Sequence, residues 1–317
     1  MKLKNLKSII VICLSIIIYL SCEKQSESTV CFYYPDNVKI TIDVPKMNNN
    51  LSTLLIFYAL PNGNSTEWTI GKKLAEGDDW HYDIQHIGAQ TRFLRKQIKN
   101  RNIVVAYLEN DLKSWPAWRR KYPNNSELIH SIVDSVASYF PNEDLKIALN
   151  SHSGGGSFIF GYLNDTDTIP EIVERISFID SNYGYEDSLR HGEKLADWLL
   201  ESDKHFLTVY AYNDSIALYK GKSFVSATGG TWYRSKMMIS NLEQSFDFSV
   251  VDLDSLIWYN TLDGRVQFIL KHNPDQGIYH TEQVERNGFI HSILSGTPLE
   301  EKGYRYFGKR VYEDFIE

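Results

Sequence analysis

The stretch KIALNSHSGGGSFIFGYL (146–163) changes character halfway along. It opens as a short alternating apolar run, reaches Ser-His-Ser, crosses three glycines and continues as an apolar run with helical spacing. A turn that swings directly from strand to helix forces its middle residue into a strained backbone conformation, and the residues two positions away must be small to avoid collision. Ser151 and Gly155 flank Ser153, and Gly154 follows it. Such a joint exposes the Ser153 hydroxyl at a helix N-terminus, where backbone N–H groups favour developing negative charge.

The rest of the chain supplies the matching frame. Apolar runs that read as strands fall at 54–60, 102–108, 145–150, 175–180, 206–212 and 265–270, with helical patterns at 83–99, 126–140, 157–163, 188–202 and 281–294. Near-continuous apolar strands separated by helices predict an α/β fold with a mostly parallel sheet covered on both faces. The opening CFYYPDNVKITIDVP (31–45) alternates without an intervening helix, as an antiparallel edge hairpin does. No linker, repeat or low-complexity block interrupts the later chain, so residues 31–317 are expected to form one domain.

Strand, small-x-Ser-x-Gly and helix within this frame resemble the nucleophile elbow of the α/β-hydrolase superfamily, Gly-x-Ser-x-Gly, with Ser151 in place of the first glycine. A phosphate-binding loop is disfavoured because no Lys-Ser/Thr follows the glycines. The resemblance implies a serine nucleophile, then an acid, then a histidine base. Asp214, just past the strand at 206–212, is the first choice of acid, and Asp180, ending the run RISFID, is the alternative. His280, directly before the last helical pattern, is preferred as base over His272, which is close to its strand end, and His291, which falls inside a helical pattern. The oxyanion hole would join the Gly154 N–H to that of Gly63 or Asn64 in the loop PNGNS, a segment that reads equally well as a plain turn.

Aromatics gather in segments expected to open on the same rim: Trp68, Trp80, Trp115, Trp118 and Trp232, with Arg119, Arg120 and Arg234 nearby. Trp115, Trp118, Trp232 and Arg234 are the candidate substrate contacts, since flat rings stack on sugars or aryl groups and arginine clamps carboxylates. Large aromatics also commonly pin loops to the body. Only about 25 residues separate RISFID from the next strand, too few for a large lid, so an open cleft is expected. No metal and no organic cofactor is implied, for the chain carries neither His-Glu-x-x-His nor a dinucleotide fingerprint.

The N-terminus reads as a leader: MKLKNLK carries three lysines, SIIVICLSIIIYL is an apolar core of 13 residues, and Ser21-Cys22 follows. That core is shorter than the roughly 20 residues of a membrane-spanning helix. Leu20-Ser21-Cys22 resembles a bacterial lipobox, with Tyr19 where leucine is usual, which implies removal of residues 1–21, lipidation of Cys22 and a polar tether over 22–30. Of the three cysteines Cys31 then stands alone, excluding a disulfide framework. The formal charge of −7 becomes more negative once Lys2, Lys4 and Lys7 are lost, which argues against nucleic-acid binding.

The expectation is a membrane-anchored lipoprotein of the cell envelope, periplasmic or on the outer surface. It would cleave a carboxylic ester, small-molecule or glycan-linked, through Ser153, His280 and Asp214. Amide or peptide cleavage by the same residues is the first alternative, and a non-catalytic glycan-binding lipoprotein the second. Oligomeric state is left open.

Overall fold

The computed structural model describes residues 28–140 and 144–317. The leader and Cys22 lie outside the described residues. Among those described, no helix is long and apolar enough to cross a membrane.

The chain runs β1 (Ser28–Tyr34), β2 (Val38–Val44), β3 (Ser52–Ala59), α1 (Thr66–Ile70), α2 (Ile87–Gln97) and β4 (Arg101–Asn110). It continues through α3 (Trp115–Lys121), α4 (Asn125–Ala137), β5 (Leu145–His152), α5 (Gly156–Asn164), β6 (Val173–Ile179), α6 (His191–Glu201) and β7 (Phe206–Tyr212). The short hairpin β8 (Leu218–Tyr219) and β9 (Lys222–Ser223) precedes α7 (Thr231–Leu242). Last come β10 (Ser249–Leu253), β11 (Leu256–Thr261), β12 (Val266–Lys271), α8 (Glu282–Glu285) and α9 (Gly288–Leu294).

Ten strands make one sheet in the order β1-β2-β4-β3-β5-β6-β7-β12-β11-β10. Every pairing from β4 across to β12 is parallel, and the two ends are antiparallel. The expected mostly parallel α/β sheet and N-terminal hairpin are therefore present. The hairpin starts earlier than expected, because Ser28, Thr29 and Val30 of the expected tether pair with Val44, Asp43 and Ile42.

Strand order reverses at β3: the chain goes outward from β3 to β4, then returns to place β5 on the other side of β3. Loops leaving the carboxyl ends of β3 and β5 diverge at such a point and leave a crevice between them. Apolar side chains fill both faces of the sheet. Helices α3 to α7 cover one face, with Trp118, Ile132, Phe158, Leu195 and Met238 inside. On the other face α2, α9 and the C-terminal segment bury Leu94, Phe289, Tyr306 and Tyr312.

Three departures from the sequence expectation have local causes. Segments 115–121 and 231–242, expected as rim loops, are the helices α3 and α7. Hairpin β10–β11 extends the sheet beyond the last foreseen strand. The helical pattern 281–294 is broken at Asn287, which adopts φ 68° while its amide bonds Arg305 O and Lys309 O at 2.8 Å, docking the C-terminal segment.

Candidate active site

β5 ends at His152, and the next residue turns sharply: Ser153 has φ 55°, a left-handed conformation disfavoured for a residue with a side chain by about 1–2 kcal/mol. The small neighbours have specific reasons. A Cβ on Gly155 would lie 2.1 Å from the Ala59 carbonyl oxygen of β3, and one on Gly156 would lie 1.7 Å from that of Ser181. The turn is thus pressed between the ends of β3 and β6. Ser151 is fully buried where the superfamily pattern has glycine, and its hydroxyl is accommodated by a 2.8 Å hydrogen bond to Ser181 Oγ.

His280 donates from Nδ1 to Asp180 Oδ2. An ionised carboxylate only accepts, so the bond fixes the proton on Nδ1 and leaves Nε2 as the basic nitrogen. Asp180 is fully buried, and its Oδ1 accepts from Thr231 Oγ1. The His280 loop is brought to the elbow by His152, whose ring centroid lies 4.7 Å from that of His280. His152 Nε2 donates to the His280 carbonyl at 3.1 Å. Burial, then the proximity of His280, holds the His152 imidazole well below its ordinary range, so it acts as a neutral donor.

Asp214 does not reach His280. Its Oδ2 accepts from the backbone N–H of Thr231 at 2.8 Å, at the start of α7, and lies 3.3 Å from Thr231 Oγ1. Burial and the neighbouring Asp180 charge raise its pKa to about 6, against the opposing Thr231 and Trp232 N–H groups. The geometry therefore selects Asp180 over the preferred Asp214 as histidine partner, because the helix N-terminus claims Asp214.

The expected loop donors, Gly63 and Asn64, are also committed elsewhere. Gly63 N–H donates to Lys113 O at 2.7 Å and Asn64 N–H to Pro61 O at 3.3 Å. Asn62, at the start of the same loop, lies against the elbow instead. Its amide packs on the Cα of Gly154 so closely that a Cβ there would sit 2.1 Å from Asn62 Oδ1. Asn62, Ser153, Gly154, Ser157, Ser181 and Tyr183 surround a cavity of about 440 Å³.

The expected substrate contacts are placed otherwise. Trp115 and Trp118 are buried in the core, their indole N–H groups donating to Leu108 O at 3.2 Å and Asp36 O at 2.8 Å. They anchor α3 and the N-terminal hairpin. Arg234 bonds Tyr185 O at 2.8 Å, and half-buried Trp232 packs on the core with the Lys236 ammonium 5.2 Å from its ring. Trp80 is exposed, at 63%, and stacked on His81, which stacks in turn on Trp68. Among the described residues no group of three His, Cys, Asp or Glu is placed to hold a metal ion.

Sequence reasoning passed over His152 and Thr231, and placed Asn62 only as the start of the loop 62–64 expected to hold the oxyanion through its backbone. His152 carried a signal, since the residue between Ser151 and Ser153 must lie at the sheet edge. Thr231 carried none, because its place follows from a helix start that spacing does not encode, and the side-chain contact of Asn62 with Gly154 is likewise not encoded in spacing.

No family model matches this chain, and no curated protein matches it. Solved structures do. A siderophore hydrolase, EstB, from Aspergillus nidulans is 13% identical over 87% of this chain and 97% of its own, with a TM-score of 0.44. A poly(aspartic acid) hydrolase-1 from Sphingomonas sp. KT-1 is 11% identical over 69% and 86%, at 0.42. A glucuronoyl esterase from Solibacter usitatus is 12% identical over 85% and 84%, at 0.39. Likenesses this distant leave the chemistry to be argued from the geometry of the site.

Proposed function

We propose that this chain is a serine hydrolase of the α/β-hydrolase type, cleaving a carboxylic ester through an acyl-enzyme. The observation that carries the reading is the hydrogen bond from His280 Nδ1 to buried Asp180, with the His280 ring packed on His152, the residue before a serine held at positive φ. In this reading His280 Nε2 takes the proton from Ser153 Oγ as the oxygen attacks the acyl carbon. Asp180 holds the imidazole in the required tautomer and stabilises the imidazolium. The Gly154 N–H and Asn62 receive the negative charge of the tetrahedral intermediate, and His280 then protonates the leaving alcohol. Water, deprotonated by the same nitrogen, releases the acid.

The open cavity and short connection after β6 suit a bulky or polar ester, aryl or carbohydrate-linked. Hydrolysis of a panel of aryl and short-chain esters tests the reading. Wild-type turnover should fall by about 10³-fold or more in both Ser153→Ala and His280→Ala. Retained turnover in either folded variant would remove that residue from the mechanism. Amides belong in the same panel, since peptide cleavage uses the same three groups.

A second reading is favoured by the Trp80–His81–Trp68 stack, exposed at Trp80, a surface suited to a sugar face. Glycan binding without any ester or amide turnover would make the chain a binding protein on a hydrolase scaffold. In either case Cys22, through the lipobox resemblance, is proposed to tether the domain to a membrane of the cell envelope.

A further inference from the structure

A second cavity, of about 560 Å³, lies between hairpin β10–β11, the end of β12 and the C-terminal segment. It shares no lining residue with the cavity at Ser153. Its two sides differ in chemistry. Val251, Leu253, Leu256 and Trp258 form an apolar side, while Lys271, Arg286 and Arg305 bring three cations to the other.

Of these cations only Arg286 has a direct ion pair among the described residues, and Asp275 and Glu282 act on Lys271 from beyond ion-pairing distance. Lys271 is only 6% exposed, and its ammonium has no carboxylate within ion-pairing distance among the described residues. It donates once, to His272 O at 2.9 Å, and sits 3.7 Å from the Tyr279 ring centroid. Two of its three donors are left over. Exposed Arg305 likewise has no ion pair among the described residues, whereas Arg286 reaches Glu282 at 3.4 Å and lies over the Phe307 ring. Of the two acids at the cavity, Glu301 already accepts from the Tyr306 N–H at 3.1 Å, and Asp254 stands at the hairpin turn. A nearly buried, unpaired ammonium is costly unless an anion completes it. That a chain of net charge −7 gathers three cations around one apolar-walled cavity calls for such an anion.

We propose that this cavity binds an amphipathic organic anion, its flat or branched apolar body against Trp258 and Leu256 and its carboxylate between Lys271 and Arg305. The volume suits a small organic ligand, and charge-assisted hydrogen bonds to lysine and arginine fix the orientation of the carboxylate. The ligand would also touch Tyr279, the residue before His280.

Calorimetric titration of the folded chain with 2-naphthoate, and with its neutral isostere 2-naphthamide, tests this. Naphthoate should bind about tenfold or more tightly than the amide. Arg305→Glu and Lys271→Met should each weaken naphthoate by about tenfold while leaving the amide unchanged. Equal affinity for the two compounds, no binding of naphthoate at millimolar concentration, or naphthoate binding unaltered in Arg305→Glu would each overturn the proposal. Arg305 is exposed, so that variant decides the matter even where Lys271→Met fails to fold.

Discussion

Asp180 and Asp214 approach the same hydroxyl, that of Thr231, yet only Asp180 bonds an imidazole. Their substitutions should separate accordingly. Asp180→Asn is expected to lower kcat/KM for an aryl ester by about 10⁴-fold, because the amide no longer holds the Nδ1–H tautomer. Asp214→Asn should stay within about tenfold of wild type, since it touches the mechanism only through Thr231. The reverse ranking in steady-state kinetics would return the catalytic acid to Asp214. Asp214 also carries a stability signature. Its folded pKa, raised to about 6, exceeds the ordinary unfolded carboxylate value of about 3.9, so the folded state holds its proton more tightly. The neutral acid is accommodated fully below pH 4, and stability is lost as pH rises toward 6 and beyond, by on the order of 3 kcal/mol. Urea denaturation at pH 4 and pH 8 should therefore show Asp214→Asn gaining on wild type at the higher pH. A constant difference would show that Asp214 is ionised in the folded protein across the range. Nothing in the residue spacing separated these two aspartates. Both follow strand ends on one rim, and the discriminating feature is an N–H of α7, a helix that the sequence reading took for a loop.

The joint between β5 and α5 is the element whose sequence is most constrained by its surroundings. Its glycines do not serve flexibility. They let the turn lie against the carbonyls of Ala59 and Ser181. Gly156→Ala should therefore cost about 3 kcal/mol and abolish turnover even in the fraction that folds, measured by urea unfolding and by ester hydrolysis. Near-wild-type stability would mean that the β6 end yields to a methyl group. Strands of this kind were legible. The runs at 54–60, 145–150 and 206–212 are the cores of β3 (Ser52–Ala59), β5 (Leu145–His152) and β7 (Phe206–Tyr212), because a strand buried on both faces must be apolar throughout. Elements near the rim were less so. In α3, Ser114 accepts from the Ala117 N–H and Pro116 stands in the first turn, a recognisable start obscured by the two tryptophans. Gly230, which precedes α7, offers no side-chain cap, and Asp214, 17 residues before Thr231, receives the helix's first N–H groups. The hydroxyl-bearing Ser151 in a glycine position was legible as tolerable, and Ser181 supplies the partner that makes it so.

Across the whole molecule, the sheet order sets the site: reversal at β3 opens the crevice, β5 delivers Ser153 to it, β6 delivers Asp180, and the loop after β12 returns His280. The aromatic content that looked like a binding surface is spent largely on the core. Trp118→Ala should lower stability by about 3–5 kcal/mol while KM of the folded enzyme stays unchanged. A raised KM at unchanged stability would restore Trp118 to substrate binding. The histidine partner and the loop beside Gly154 differ from expectation because those contacts are made between elements far apart in sequence, whereas the sharp turn at Ser153 was readable because its geometry is local. The most direct measurement is peptide mapping of the folded protein after treatment with a fluorophosphonate. A single adduct on Ser153 is expected, absent from Ser153→Ala and formed far more slowly in Asp180→Asn. A folded wild-type protein that takes no adduct, or takes it on another serine, contradicts the assignment of Ser153 as an activated nucleophile.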